Sequence, residues 1–469
     1  MPKISEVKKQ DQLYPYQQEG VEFLRSRTHA YLGDDMGLGK SVQLIRASQG
    51  KTLVVAPAML IDSGNWQNEI DRWADDPSRF TLTAYTRLPG RNGSRMSNQP
   101  RPEFDQDWDT VVFDEAHYLK NRNAIRTQVA KRITRRAKRV YLASGTPIPN
   151  WAHELFVPFQ MLHPDEDRAG MTYGSYWNWV EKWFRVSNSP FSRGALEIGK
   201  LIGCTRECSK RPVDDPCDHY LRFARENFRG TMIRRLRDEV LDDLPDLHHQ
   251  RVPVAMTTKQ WKAYRDIREE CIAGAAGSEL VAWSAASQHT YLDQITTSLG
   301  MLSEDPLRDS GKFERLAMDL ENRTHPTVVV GHFKATVEGV AQVAKKLGKT
   351  CGVIHGMTPK ATREQVVRDF QAGKIDVLAG TYDTISEGLT LTAADLMILV
   401  EISYKAARNQ QVIRRIHRIG QERKCMVLEY YATGTKGQKT LDSAKRDLVD
   451  RKILGAGHAL SAATLKEIL

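Results

Sequence analysis

Short valine-rich runs separated by amphipathic stretches fill two separate blocks of the chain, and this repetition restricts the fold more than any other feature. The first block holds "KTLVVAPAML", "DTVVFDEAH" and "KRVYLASGTP". The second holds "HPTVVVGHF", "KTCGVIHGM", "KIDVLAGTY", "LMILVE" and "CMVLEYY". Apolar runs that end at polar or glycine-containing turns fit strands of a parallel sheet, buried on both faces. Stretches such as "TREQVVRDFQAG" supply the crossover helices. The pattern is βαβ, and its double occurrence predicts an α/β protein with two doubly wound, parallel-sheet domains in tandem. Between the blocks, "YGSYWNWVEKWF" and "TKQWKAYRDIREECIAG" predict a mainly helical insertion and linker. The expected domains are 1–155, 156–305 and 306–469, in keeping with a 469-residue chain that exceeds one ordinary core.

In such sheets ligands bind where strand carboxyl ends meet helix starts. "AYLGDDMGLGKSVQLIRAS" reads as strand, glycine-bearing loop and helix. The general phosphate loop, G-x-x-x-x-G-K-[ST], wants glycine six residues before the lysine, and this chain has Asp34 there. Gly37 and Gly39 would let backbone amides close around phosphate oxygens, Lys40 would reach the β and γ phosphates, and Ser41 would ligate magnesium. A surface turn capping a helix is the plainer reading of this stretch alone. About 75 residues later "TVVFDEAHYLKN" delivers Asp114 and Glu115 at a strand end. One carboxylate can hold magnesium and the second can orient and deprotonate water, roles that suit Asp114 and Glu115 in that order. An acidic helix start after a strand is the competing reading. In "YLASGTPIPN", Ser144 and Thr146 stand at another strand end, in what alone is only a turn.

The order "YPYQ", "GDDMGLGKS", "VVAPAML" with Trp66 and Glu69, "DEAHYLKN" and "SGTPIPN" resembles superfamily 2 helicase-like ATPases, most of all the SWI/SNF-type branch. That branch also lacks the first loop glycine. The resemblance implies two RecA-like domains that hydrolyse ATP. It implies Gln17 at the adenine edge and Gly33, Asp34, Asp35, Met36, Gly37, Leu38, Gly39, Lys40 and Ser41 as the phosphate loop. His117, Ser144 and Thr146 become candidates for coupling the nucleotide to a bound strand. In "NQQVIRRIHRIGQ" a helix would place Gln411, Arg415 and Arg418 on one face. The resemblance makes the two arginines fingers on the γ-phosphate and Gln411 a phosphate or water contact. A solvated basic face is the plainer reading. Arg414 departs from the family's common pattern, which has aspartate there. "GTYDTISEGLTLTAADLMILVE", with Gly388 at the nucleotide, resembles the motif linking ATP and DNA contacts. Its G-L-T form, "MIRRLRDEVLDDLP" and Glu401 resemble the annealing-helicase branch, which rewinds or remodels branched DNA.

A net charge of +10 and a pI near 9.2 favour a polyanionic partner, with a basic enzyme for a small substrate as the alternative. The resemblance implies mainly duplex or branched DNA, gripped by a monomer through loops around Ala58, Tyr85–Arg87, His332–Lys334 and Thr381–Thr384. Tyr85, Lys334 and Thr381 are its candidate contacts. The basic run "AKRITRRAKR" is read instead as a solvated helix face. Nothing in the sequence predicts a transmembrane helix or signal peptide, and sparse cysteines fit a reducing, cytoplasmic compartment, prokaryotic or virus-infected, with the nucleus as the alternative. Cys204, Cys208, Cys217 and His219 form a C-x3-C-x8-C-x-H string that suits a structural zinc ion or, equally simply, unpaired thiols. The expected function is an ATP-dependent translocase on duplex DNA. A strand-separating DNA or RNA helicase is one alternative, and an inactive nucleic-acid-binding scaffold is another.

Overall fold

Leu53 and Val55 enter one buried cluster while Val54 and Ala56 enter another on the opposite side. This is the alternation of a strand covered on both faces. The computed structural model describes residues 12–92, 95–148, 151–168, 172–188, 196–205, 207–212, 215–240, 244–275, 285–302, 305–386, 389–418 and 420–464. Its strands are β1 (His29–Leu32), β2 (Thr52–Ala56), β3 (Phe80–Ala84), β4 (Pro89–Asn92), β5 (Arg95–Pro100), β6 (Trp108–Asp114), β7 (Ala137–Ala143) and β8 (Phe184–Asn188). They continue with β9 (Leu196–Leu201), β10 (Met232–Ile233), β11 (Leu247–Ala255), β12 (Thr327–Gly331), β13 (Cys351–Ile354), β14 (Val377–Thr381), β15 (Leu396–Leu399) and β16 (Cys425–Thr433).

The chain divides into two compact units, residues 1–243 with 452–469 and residues 244–451. The boundaries expected at 155 and 305 fall inside these units. The first unit has a parallel sheet in the order β10-β1-β7-β6-β2-β3. The aromatic stretch after residue 155 packs into this sheet's own core: Phe156, Phe159, Trp179, Phe223 and Phe228 share a cluster with Val111, Phe113 and Leu142. Its polar centre is Asn227, whose Oδ1 accepts Trp179 Nε1 at 2.9 Å and whose Nδ2 donates to the Phe223 carbonyl at 2.7 Å. Buried indole and amide groups need such partners. Two antiparallel hairpins, β4-β5 and β8-β9, stand apart from the sheet.

The second unit has a parallel sheet in the order β11-β16-β15-β12-β14-β13. Val329, Ile398 and Val377 line one face, and Val328, Val330 and Leu378 line the other. β11 pairs with β16 from Leu247 to Ala255, and Pro253 is tolerated because this strand is an edge. Two buried ion pairs bolt the unit together, Lys312–Asp442 at 2.6 Å and Lys445–Asp293 at 2.5 Å. Among the described residues no helix is long and apolar enough to cross a membrane.

Candidate nucleotide site

Parallel strands deliver their carboxyl ends to one edge of a sheet. β1, β7 and β6 are neighbours, and Leu32, Ala143 and Asp114 lie on one row, since Ala143 pairs with both others. The loop after Leu32, the turn after Ala143 and the acids at Asp114 and Glu115 therefore meet. Gly37 and Gly39 have φ of 84° and 69°, a region that favours glycine. A Cβ on Gly39 would stand 2.4 Å from Gln17 Nε2, and one on Gly37 would stand 2.7 Å from Arg237 Nη2. No side chain caps the following helix, Lys40–Ala47, at Gly39. Its first-turn amides are thus left for an outside acceptor, which fits an anion.

Lys40 Nζ donates to the carbonyls of Asp34 and Asp35 at 3.0 and 3.1 Å. A Cβ on Gly145 would lie 3.2 Å from that ammonium and 2.5 Å from Met36 Cγ, so only glycine fits in this turn. Ser41 follows Lys40, half-buried. Gln17 is braced against the loop: its Nε2 donates to the Leu38 carbonyl at 3.2 Å and its Oε1 accepts Tyr14 N at 3.0 Å.

Asp34 is fully buried, and Arg235 holds it with two parallel bonds, Nη2 to Oδ2 at 2.6 Å and Nε to Oδ1 at 3.0 Å. Arg235 N and Gln43 Nε2 add bonds of 3.1 and 3.0 Å to the same carboxylate. Around it, Arg234 Nη1 donates to the Gly33 carbonyl at 3.1 Å and Arg237 donates to that of Met36. Asp35 N in turn donates to the Arg235 carbonyl at 3.0 Å, and Asp35 Oδ1 accepts Met36 N. The segment read from sequence only as a branch marker is the outer wall of the loop. Its signal was present as three arginines in "MIRRLR" and an acid where the general loop has glycine.

Asp114 is held from three directions. Trp66 Nε1 donates to Oδ2 at 3.0 Å, Glu115 N donates to Oδ1 at 2.9 Å, and Tyr85 Oη donates to the carbonyl at 2.7 Å. Burial, and then the charge of Glu115, push the Asp114 carboxyl up to about 6 against Lys40 and Trp66. Glu115 has a φ of 51°, strain of about 1–3 kcal/mol for a residue with a Cβ. Ser144 Oγ donates to Glu115 Oε2 at 3.0 Å, His117 Nδ1 lies 3.1 Å from the same oxygen, and His117 and Ser144 are 3.0 Å apart. Burial works to raise Glu115, but His117, Lys40 and Ser144 outweigh it and hold the carboxyl down at about 2. The pair thus keeps Glu115 ionised and makes Asp114 the carboxyl that takes up a proton first as pH falls. Thr146 N donates to Ser144 Oγ at 3.1 Å, while the Thr146 hydroxyl is buried with no hydrogen-bond partner among the described residues.

Tyr85, expected on a DNA-facing loop, is instead buried. It stacks against Phe113 and Tyr118 at 6.4 and 5.4 Å, where its hydroxyl can reach the Asp114 carbonyl. The basic run is partly neutralised, with Arg136 on Asp105 and Asp107 and Lys138 on Asp109.

In the second unit the expected single helix face is not formed. The helix Ala406–Ile413 carries Gln411 and stops before Arg415 and Arg418, which lie in turns. Past Ile413 the main-chain bonds tighten to a three-residue span, Arg415 N to the Val412 carbonyl at 3.0 Å and Ile416 N to the Ile413 carbonyl at 3.3 Å, and the Arg415 carbonyl accepts Leu391 N at 2.9 Å from another segment. Arg415 also donates to the Ser386 carbonyl, and Arg418 Nη1 donates to Thr390 Oγ1 at 3.1 Å. Two separately recognised motifs are thereby stitched together, although Gly388 lies outside the described residues. Glu401 is buried. Its Oε1 accepts Thr297 and Thr336 hydroxyls, both at 2.7 Å, and its Oε2 accepts the amides of His332 and Phe333. It therefore fixes the start of the helix Lys334–Lys346, whose exposed Lys334 pairs with Glu338 at 3.3 Å. Thr381 closes β14, with its hydroxyl 3.1 Å from that of Thr384. Cys204, Cys208, Cys217 and His219 do come together in the first unit, their donor atoms all within 4.8 Å of one another.

The SNF2-related domain family matches residues 16–98 and 79–299, and the family described as helicase conserved C-terminal domain matches residues 311–420. The chain is 25% identical over 477 residues to the DNA annealing helicase and endonuclease ZRANB3 of Bos taurus, covering 96% of this chain and 40% of that protein. It is 26% identical over 479 residues to the SWI/SNF-related matrix-associated actin-dependent regulator of chromatin subfamily A-like protein 1 of Xenopus tropicalis, covering 97% and 46%. The chain thus spans less than half the length of these two relatives. Among solved structures, the Sulfolobus solfataricus SWI2/SNF2 ATPase core in complex with dsDNA is 22% identical, with a TM-score of 0.40 over 98% of this chain and 96% of that one. With the SNF2-related match alone covering more than half of its length, the chain belongs to the SNF2-related domain family.

Proposed function

We propose that this chain is an ATP-dependent motor acting on duplex or branched DNA. One observation carries the reading: Lys40, Asp114 and Glu115 converge at the carboxyl ends of β1 and β6, beside an uncapped helix start. Lys40 and the amides of the loop would hold the phosphates, with Gln17 at the adenine edge. Ser41 and Asp114 are the residues suited to hold magnesium, which when bound neutralises charge on the β and γ phosphates. Glu115, ionised and fixed by Ser144 and His117, orients water and accepts its proton. In the second unit we assign Arg415 and Arg418 to transition-state charge, with Gln411 and Gly388 as further nucleotide contacts. Lys334 and Thr381 are proposed DNA phosphate contacts. A net charge of +10 suits the polyanion, and the relative named a DNA annealing helicase supports DNA as that polyanion.

The test is ATP turnover against duplex, forked, single-stranded and RNA ligands. Duplex or forked DNA should stimulate turnover several-fold. Stimulation by single strands or RNA alone would make the chain a strand-separating helicase, and absence of turnover would make it a binding scaffold.

A further inference from the structure

Three thiols and one imidazole close on a common centre in the first unit. Cys204 and Cys217 are buried, and Cys208 and His219 are half-buried. Cys204 Sγ lies 3.7 Å from Cys217 Sγ, and Cys217 Sγ lies 3.6 Å from His219 Nδ1. Zinc bonds of about 2.3 Å to sulfur and about 2.0–2.1 Å to nitrogen give tetrahedron edges of about 3.8 Å and about 3.6 Å. The observed separations match both edges. They do not match a disulfide, whose sulfurs lie about 2.05 Å apart, and the cysteines are free.

The backbone is shaped to the same end. Gly203 has a φ of +88°, and a Cβ there would stand 2.3 Å from His219 Nε2. The imidazole lies against that glycine on its Nε2 side, which leaves Nδ1 toward Cys217. Arg211 holds the intervening loop through two bonds to Asp215, at 3.0 and 2.9 Å. Cys217 is the N-cap of the helix Asp218–Asn227, and Cys204 follows the last residues of β9.

We propose that Cys204, Cys208, Cys217 and His219, the last through Nδ1, hold one zinc ion in a closed structural site. Four protein donors leave no position for water, which separates this site from a catalytic zinc centre. The ion ties the β8-β9 hairpin to the start of the helix Asp218–Asn227. That helix leads to β10 and to Arg235, the residue that grips Asp34. The site therefore steadies the wall of the phosphate loop. It rests on its own donors and is independent of the motor reading.

The test uses the full chain, purified under reducing conditions after growth with zinc and freed of loose metal. Elemental analysis should find close to one zinc per chain. Replacement by cobalt should produce the visible bands of tetrahedral thiolate coordination. The double variant C208S/H219A, which removes the two less buried donors, should lose the zinc and the bands. Cys351→Ser, in the second unit, should retain both. Less than about a tenth of an equivalent in the wild type, with no cobalt bands, would overturn the proposal, because a structural site fills as the protein folds. Full zinc in C208S/H219A would overturn it equally, since the ion would then lie elsewhere.

Discussion

Arg235 closes on Asp34 as a two-pronged clamp, Nη2 to Oδ2 at 2.6 Å and Nε to Oδ1 at 3.0 Å, between residues 201 positions apart. The acid that displaces the expected glycine is thus the anchor by which a distant segment grips the phosphate loop. Its oxygens also take Arg235 N and Gln43 Nε2.

Removing one partner strands a buried charge. Arg235→Ala should destabilise the first unit by about 3–5 kcal/mol and weaken ATP binding. Arg235→Lys should recover only part of this, because an ammonium cannot make the planar pair of bonds. Urea melts and titration with a fluorescent ATP analogue measure both effects, and an Arg235→Ala variant as stable as wild type would contradict the clamp.

Glu115→Gln keeps the size of the side chain and removes the base. ATP binding should survive while turnover falls by about 10²–10⁴-fold. Binding and turnover are read separately, by nucleotide titration and phosphate release. Turnover at the wild-type rate would remove Glu115 from the mechanism.

Trp66→Phe deletes the indole donor on Asp114 Oδ2. The Asp114 carboxyl, already raised by burial and Glu115, should rise further. The magnesium concentration for half-maximal turnover should then increase, most at pH 6 and least at pH 8. An unchanged magnesium requirement would show that the indole merely packs.

His153 and His163 are both depressed by burial. The unfolded chain takes up protons near pH 6.5, whereas the folded chain resists until lower pH. Their contribution is therefore complete above about pH 6.5 and is lost as pH falls, by up to about 1.4 kcal/mol per pH unit for each histidine. Melting at pH 7.5 and 5.5 should show a smaller loss in the double variant H153F/H163N than in wild type. Equal losses would assign the acid sensitivity to other groups.

In the second unit Asp442 joins three elements, through Lys312 at 2.6 Å, Ala432 N at 3.0 Å and Thr296 Oγ1 at 3.2 Å. Burial works to raise its pKa, but Lys312 and Lys445 outweigh it and hold the carboxylate ionised. Asp442→Asn should leave Lys312 as an uncompensated buried charge and cost about 3–5 kcal/mol, read by denaturant unfolding.

The strands most legible in the sequence lie inside the sheets, where the apolar runs of β2, β6, β12 and β14 advertise burial by composition alone. Of the edge strands only β13 shows such a run; β3, β10 and β11 do not, since their residues are mixed, with Pro253 inside β11. The phosphate loop and both acids were legible because their chemistry needs fixed residue types close in sequence. Trp66 was visible only as a family mark and Arg235 only within the branch-marking string "MIRRLRDEVLDDLP", because each acts across the fold. The helix ends at Ile413 where the main-chain bonds tighten to a three-residue span and Leu391 N ties the next turn to a distant segment, and periodicity carries no such information.

The row Leu32, Ala143, Asp114 has a further consequence. The spacing between the lysine-bearing loop and the acids is two strand widths, about 10 Å, and is set by the ladder of main-chain bonds. Side-chain changes in the loops can alter what is held and how tightly. They cannot stretch or shorten this gauge, and a one-residue slip of β7 would turn Ala143 to the opposite face and displace Ser144 from Glu115. The site is therefore tolerant in its loops and intolerant in its rungs.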